Sequence, residues 1–283
     1  MIPIDELGVE PTETQALRPD LIRVPVPTET LPPATHTNSY LLAHDGKWLL
    51  VDVGGDGSEA SLEPLFDALI HYCDGALHSV LITHEHLDHH VSLSALVERY
   101  PNVHVYAHPH VIERASSLHP RVDWYPARDA DELFGLQLLL TEGHARGHLS
   151  AVGHGFVLCA DMMSGLGTIV VAPPDGNMVD YFASLERLAE LGDLVCLPSH
   201  GGASSSVRER ALDYLAHRQE RERKIRGSLS PTEGQTSLEV TTRAYDDVPE
   251  FLHAIAEKSC LAHLEKLREE GRAVFDGMLW RRV

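Results

Sequence analysis

Short apolar runs alternate with helical spacing through the first 200 residues. SYLLAH and KWLLVDV flank an Asp-Gly pair, which predicts a hairpin turning at Asp45-Gly46. VDVGGDG then closes a strand in a glycine-rich turn. SEASLEPLFDALIHY repeats its apolar positions at helical spacing, at Leu62, Leu65, Leu69 and Ile70. SVLIT reads as a buried strand, SLSALVERY as a helix, VHVYAH as a strand, and the stretch around PHVIERASSL as a helix. LQLLLTEG, GFVLCAD and LVCLPSHG are further strands. GNMVDYFASLERLAEL places Met178, Tyr181, Phe182, Leu185 and Leu188 on one helical face. Strands that end in polar residues, with helices between them, predict sheets with helices packed outside.

After HGGASSS the pattern changes. VRERALDYLAHRQERERKIRGSL is a long charged helix, and SLEVTTRAY a second, with Ser237 as its expected N-cap. A third runs from Pro249 to a stop at Gly271, and RAVFDGMLWRRV turns as a hairpin at Asp276-Gly277. Three helices and a hairpin predict a winged-helix unit. The division expected is residues 1–205 and 206–283.

The 283 residues suffice for one large domain, or a large and a small one. The acidic N-terminal stretch lacks the basic start and apolar block of a signal peptide, and no apolar run reaches the ~20 residues of a membrane helix. Four scattered cysteines, without a CxxC pair, fit a reducing compartment. The expectation is a cytoplasmic protein with no membrane partner; nothing in the sequence fixes an oligomeric state. Residues 201–283 carry 14 Lys/Arg and 14 Asp/Glu, so the whole net charge of −19 lies in the first 200 residues. That balance disfavours a large phosphate-gripping surface there; bound divalent cations would offset part of it.

LITHEHLDHH carries the densest chemistry. In an extended chain His84 and His86 point to one side, while Asp88 and His89 follow at the next turn and can address a second centre. Imidazole with carboxylate suits zinc and related metals. A chain with 19 histidines places many of them as ordinary polar residues, so each needs a setting. His144 lies in a Gly-flanked turn after an apolar strand, and Asp161 and His200 each end one. A sheet gathers such ends from distant segments.

In order and spacing, HEHLDH, GHARGH, LCAD and LPSHG resemble the signature of the metallo-β-lactamase-fold hydrolases, with VDVGG as the family's early strand end. The resemblance spans roughly residues 36–202. It implies a four-layer αββα sandwich, of mixed α/β class, with the winged helix appended. It assigns His84, His86 and His144 to one metal, and Asp88, His89 and His200 to a second, with Asp161 bridging. Asp52 is implied behind the ligands, and His148 in a supporting role. Two zinc ions per chain are implied, with iron or manganese accepted. Several positions depart from the family: Glu142 and Arg146 replace prolines, Ala160 replaces a glycine, and His90, Val91 and Ser92 follow the first motif.

The chemistry implied is hydrolysis by a metal-bridging hydroxide, with Asp88 taking or relaying the proton and no Ser or Cys nucleophile. The winged-helix subgroup includes a single-strand-specific endoribonuclease and thioesterases. A small ester, thioester or lactone is the favoured substrate, on the acidity and on the apolar residues near Asp161. Met162, Met163 and Tyr181 are expected to line the pocket, with Met178 and Phe182 nearby. A nuclease is the alternative. A DNA-binding regulator ranks last, because Lys258, Lys266 and Arg268 are interleaved with Glu257, Glu265, Glu269 and Glu270.

Overall fold

A computed structural model describes residues 2–5 and 8–283. The first sheet runs in chain order: β1 (Gln15–Arg18), β2 (Leu21–Pro27), β3 (His36–His44), β4 (Lys47–Val51), β5 (Ser79–Ile82), β6 (His104–Ala107) and β7 (Trp124–Pro126). Its first four strands are antiparallel and its last four parallel. The second contains β8 (Glu132–Leu133), β9 (Leu136–Leu140), β10 (Leu149–Gly153), β11 (Phe156–Ala160) and β12 (Val195–Pro198), in the order β12-β11-β10-β9-β8. β11 and β12 are parallel; the other pairs are antiparallel. Parallel neighbours require crossovers, and α1 (Glu63–Cys73), α2 (Leu93–Arg99), α3 (Pro109–Ala115) and α4 (Met178–Ala189) supply them.

Strand alternation sorts the side chains into layers. Leu21, Leu49 and Leu81 face Leu138, Leu158 and Leu197 between the sheets. Their chain neighbours Ile22, Leu50, Val80 and Ile82 point the other way, onto Leu65, Leu69, Leu96 and Val111 of α1, α2 and α3. On the outer face of the second sheet, Val157, Cys159 and Cys196 pack on Tyr181, Leu185 and Leu188 of α4. The result is the expected helix–sheet–sheet–helix stack.

The C-terminal helices are α5 (Val207–Ser228), α6 (Ser237–Ala244) and α7 (His253–Glu269), followed by the hairpin β13 (Ala273–Phe275) and β14 (Trp280–Arg282). α5 buries Val207, Ala211, Tyr214, Leu215, Arg218, Arg221 and Ile225, one stripe at three- and four-residue steps. Val207, Ala211, Tyr214 and Leu215 belong to the core under the second sheet; Ile225 belongs to a separate core with Val240, Cys260, Leu264 and Trp280. This is the expected winged helix. Its second helix starts one residue earlier than expected: Thr236, not Ser237, is the N-cap, because Glu239 closes a capping box onto Thr236. A 3-10 turn at Glu250–Leu252 precedes α7.

The predicted β3–β4 turn is present. Asp45 and Gly46 have φ of 48° and 73°, and His44 pairs with Lys47, so this is a two-residue primed turn. None of the helices among the described residues is long and apolar enough to cross a membrane.

Candidate metal centre

The site lies where the two sheets meet. Leu149 N donates to Thr83 O at 2.9 Å, and Asn38 N to Ser199 O at 2.7 Å, so strand ends of both sheets are tied together there. Asp52 follows β4 with φ of 61°, and its carboxylate is buried. Its Oδ1 accepts from Thr83 N at 2.8 Å; its Oδ2 takes Thr83 Oγ1 at 2.9 Å and His89 Nδ1 at 2.8 Å. Val53 N donates to His89 O at 2.7 Å. One buried carboxylate thus fixes both ends of the loop that carries His84, His86, Asp88 and His89.

His84, His144 and His200 are likewise held by one nitrogen and aimed by the other. His84 Nδ1 meets Thr83 Oγ1 at 3.0 Å, and its Nε2 lies 3.1 Å from His86 Nδ1. His144 Nδ1 donates to Val170 O at 2.9 Å, and its Nε2 lies 2.9 Å from the same His86 Nδ1. His200 Nδ1 donates to His36 O at 2.9 Å, leaving Nε2 at 3.5 Å from Asp88 Oδ2 and 3.4 Å from Asp161 Oδ1. His89 Nε2 faces Asp161 Oδ1 at 3.6 Å and Asp88 Oδ1 at 3.8 Å. Three His/Asp donor groupings result, each within 4.8 Å: His84, His86 and His144; His84, His89 and Asp161; and Asp88, His89 and His200.

The donors fit a metal. His89 Nε2, His200 Nε2 and Asp161 Oδ1 are buried without a hydrogen-bond partner among the described residues. A buried polar atom left so costs about 1–3 kcal/mol unless something else satisfies it. His86 Nδ1 faces two imidazole nitrogens at once, and a single proton cannot satisfy all three. Their 2.9–3.1 Å spacing is near the ~3.3 Å that tetrahedral zinc sets between two nitrogens.

The electrostatics divide the cluster. Burial, reinforced by the neighbouring histidines, holds His84 well below the usual imidazole range and His144 down to about 3; burial also lowers His86. These three present lone pairs at neutral pH. Burial opposes ionisation of Asp161, but His200 and His89 outweigh it and hold the carboxyl well below its usual range. Asp88 is lowered likewise, by His89 and His200 against burial. Burial would lower His200, yet Asp161 and Asp88 raise it to about 10; Asp52, Asp161 and Asp88 raise His89 in the same way. A cation between these carboxylates competes with two imidazole protons.

His148 has neither nitrogen free. Asp161 N donates to its Nε2 at 3.3 Å, and its Nδ1 lies 2.9 Å from Thr141 Oγ1, so it fastens the strand end bearing Asp161. The turn that carries His144 and His148 requires Gly143. Its φ is 123°, and a Cβ there would lie 2.2 Å from Tyr181 N.

Met162, Met163 and Tyr181 were expected to line the pocket and are instead fully buried in the core shared with α4 and α5. The Tyr181 hydroxyl donates to Met162 O at 2.7 Å. These residues back the site and offer no surface to a ligand. Two contributors escaped the sequence. Thr30 Oγ1 donates to Asp88 Oδ2 at 2.5 Å across 58 residues, and Val170 contributes only its carbonyl. No local pattern signals either one.

Lone pairs converging where two sheets join, those of His84, His89, His144 and His200 aimed inward by a hydrogen bond behind them, define a protein that binds metal. The pattern of the Metallo-beta-lactamase superfamily matches residues 32–200, and that of the Beta-lactamase associated winged helix domain matches residues 236–280. The chain belongs to the metallo-β-lactamase superfamily and is a metal-dependent hydrolase. A Beta-lactamase-like protein 2 homolog of Drosophila melanogaster is 24% identical over 248 residues, 83% of each chain. A hydroxyacylglutathione hydrolase of Aeromonas hydrophila is 28% identical over 179 residues, 59% of this chain and 61% of the relative. The crystal structure of a metallo-beta-lactamase family protein from Thermus thermophilus superposes with a TM-score of 0.77 at 29% identity, covering 95% of this chain and all of the other.

Proposed function

We propose that this chain is a dinuclear hydrolase of a small ester, thioester or lactone, with thioesters foremost. The observation that carries the reading is the division of donors around one carboxylate. Asp161 Oδ2 is 3.6 Å from His144 Nε2, on the side of His84 and His86, while its Oδ1 is 3.6 and 3.4 Å from the Nε2 atoms of His89 and His200, on the side of Asp88. In this reading His84, His86 and His144 would hold one ion, Asp88, His89 and His200 a second, and Asp161 would serve both. Zinc suits the set, and iron or manganese is accepted. Divalent cations held by these residues would lower the pKa of a bound water and polarise a carbonyl oxygen.

The chain's own residues do the rest. Asp88 is the most open carboxylate of the cluster, with 17% of its side chain exposed, and it is ionised. It takes the proton of the attacking water and relays it to the leaving group, steadied by the Thr30 hydroxyl. Asp52 and His148 keep the donors aimed.

Hydroxyacylglutathione hydrolase, the name of the Aeromonas relative, denotes cleavage of a thioester. The pairing of basic groups in the C-terminal unit supports a small substrate over a nucleic acid. Arg221 is bound to Asp247, Arg223 to Glu220, Lys224 to Asp246, Lys266 to Glu222 and Glu270, and Arg268 to Glu265. Such bases are less available to phosphates. A reducing, cytoplasmic setting is part of the reading, in keeping with four buried free thiols.

The test is a panel of thioesters, lactones, aryl esters and single-stranded RNA on metal-replete protein. Thioester turnover with about two metals per chain, both reduced in Asp161→Ala, is the expected result. RNA cleavage that disappears in His86→Ala would transfer the assignment to a nuclease. A folded protein that retains no metal would remove the whole reading.

A further inference from the structure

We infer that the winged-helix unit positions the metal-binding imidazole of His144, with Ser259 of α7 as the residue that does it. This rests on the reading of His144 as a ligand. The connection is a single peptide group. His144 Nδ1 donates to Val170 O at 2.9 Å, and on the other side of that same peptide Val171 N donates to Ser259 Oγ at 3.2 Å. A peptide is planar, so turning its N–H turns its carbonyl with it. Ser259 therefore sets the direction in which the carbonyl receives His144, and with it the direction of the Nε2 lone pair, which lies 2.9 Å from His86 Nδ1. Accepting the N–H also polarises the carbonyl and strengthens its hold on the ring.

Among the described residues, the hydrogen-bond partners of this peptide group are His144 on its carbonyl and Ser259 on its N–H. Residues 162–177 form no helix or strand. Towards its two ends this segment is tied to the catalytic unit, Gly165 N to His200 O and Asn177 N to Gly143 O, while Ser164 and the stretch around Ile169 are also fastened from beyond residue 205. The Arg218 guanidinium donates to Ile169 O, Arg210 donates to Ser164 O, and Ser164 N donates to Tyr214 Oη at 2.9 Å. Ile169 and Val171, on either side of Val170, are buried in the core with Tyr214 and Leu215 of α5 and Ala262 of α7. The flanks of the Val170–Val171 peptide are thus held by packing and by Arg218, and its rotation by Ser259. That gives the C-terminal unit a task at the metal that needs neither nucleic acid nor a partner.

The experiment measures Zn2+ affinity of the full-length chain by competition with a chromophoric chelator, alongside thermal melts. Ser259→Ala removes the acceptor, and Ser259→Cys keeps a similar volume while offering sulfur, a poor acceptor. Both should weaken Zn2+ binding about tenfold, the lower end of the loss when a direct partner of a ligand is removed. Leu264→Ala is the control for stability alone. Leu264 is fully buried in the separate core of the winged helix, so this variant should lower Tm yet leave Zn2+ affinity within twofold. His144→Ala tests the ligand reading itself. If it binds Zn2+ as the unmodified chain does, that reading fails and the inference falls with it. If His144→Ala weakens binding while both Ser259 variants stay within twofold, the ligand reading stands and positioning by Ser259 is overturned. Equal weakening in Leu264→Ala and Ser259→Ala also overturns it, because general loosening would then explain both.

Discussion

Replacing Asp52 by asparagine preserves shape and reverses one interaction. The carboxylate accepts three hydrogen bonds, from Thr83 N, Thr83 Oγ1 and His89 Nδ1. Asparagine retains one oxygen, which suits Thr83 N. Its amide nitrogen then faces Thr83 Oγ1, which can turn and accept, and His89 Nδ1, which cannot accept while it carries its proton. Either two donors oppose each other at 2.8 Å, or the imidazole moves its proton to Nε2. The second outcome points a hydrogen at Asp161 and removes the lone pair a metal needs. A hydrogen bond to a charged group contributes about 1.5–3 kcal/mol. Loss of a carboxylate behind a ligating histidine typically weakens metal binding 10–100-fold, about 1.4–2.7 kcal/mol. Chelator competition on Asp52→Asn should therefore show Zn2+ affinity lower by one to two orders of magnitude in a protein that still folds, as judged by circular dichroism. Affinity within twofold of the unmodified chain would refute the claim that Asp52 sets the His89 tautomer.

Thr30→Val deletes the hydroxyl that steadies Asp88, so thioester turnover should fall by about 3- to 30-fold, and its acidic limb should move to higher pH as the carboxylate loses a donor; an unchanged rate profile would exclude this role. Gly143→Ala forces a Cβ against the Tyr181 backbone at a φ of 123°, and should destabilise by roughly 3 kcal/mol or more while loosening His144; denaturant melts and metal retention report both. Burial pushes His119 and His263 to about 4, below the ordinary 6.5. The unfolded chain takes up those protons first, so their full stability is present above pH 6.5 and declines as pH falls towards 4. Denaturation midpoints should be lower at pH 5 than at pH 7, and less so in His263→Asn; equal midpoints would contradict the assignment.

The donor-rich loop was readable because its four His/Asp side chains sit within six residues behind an apolar strand. His144, Asp161 and His200 were readable because each follows an apolar strand, His144 in a Gly-flanked turn and the other two close to the strand end, and strand ends of both sheets meet there. β1 and β2 were not. β2 contains Pro25, Pro27 and the buried Arg23, a sequence that argues against a strand until Asp5 and Gln15 are seen to satisfy the guanidinium. Met162 and Met163 misled for a different reason. Proximity to Asp161 along the chain does not say which way a side chain points, and the backbone turns at Ala160, with φ of 45°, before either is reached. Thr236 against Ser237 was decided by Glu239, whose carboxylate reaches Thr236 N at 2.8 Å. Thr30 and the Val170 carbonyl were beyond any sequence pattern, since one acts across 58 residues and the other is backbone.

α5 begins just past residue 205 and serves two cores along one stripe. That geometry limits modularity. A cassette can be exchanged when the joint between units is solvated and its loss exposes little. Here, cutting before Val207 strips Ala211, Tyr214 and Leu215 from beneath the second sheet and bares Tyr181 and Leu185 to water. The two units are therefore joined through a shared helix, and a chain shortened at the nominal boundary would expose apolar core that α5 now covers.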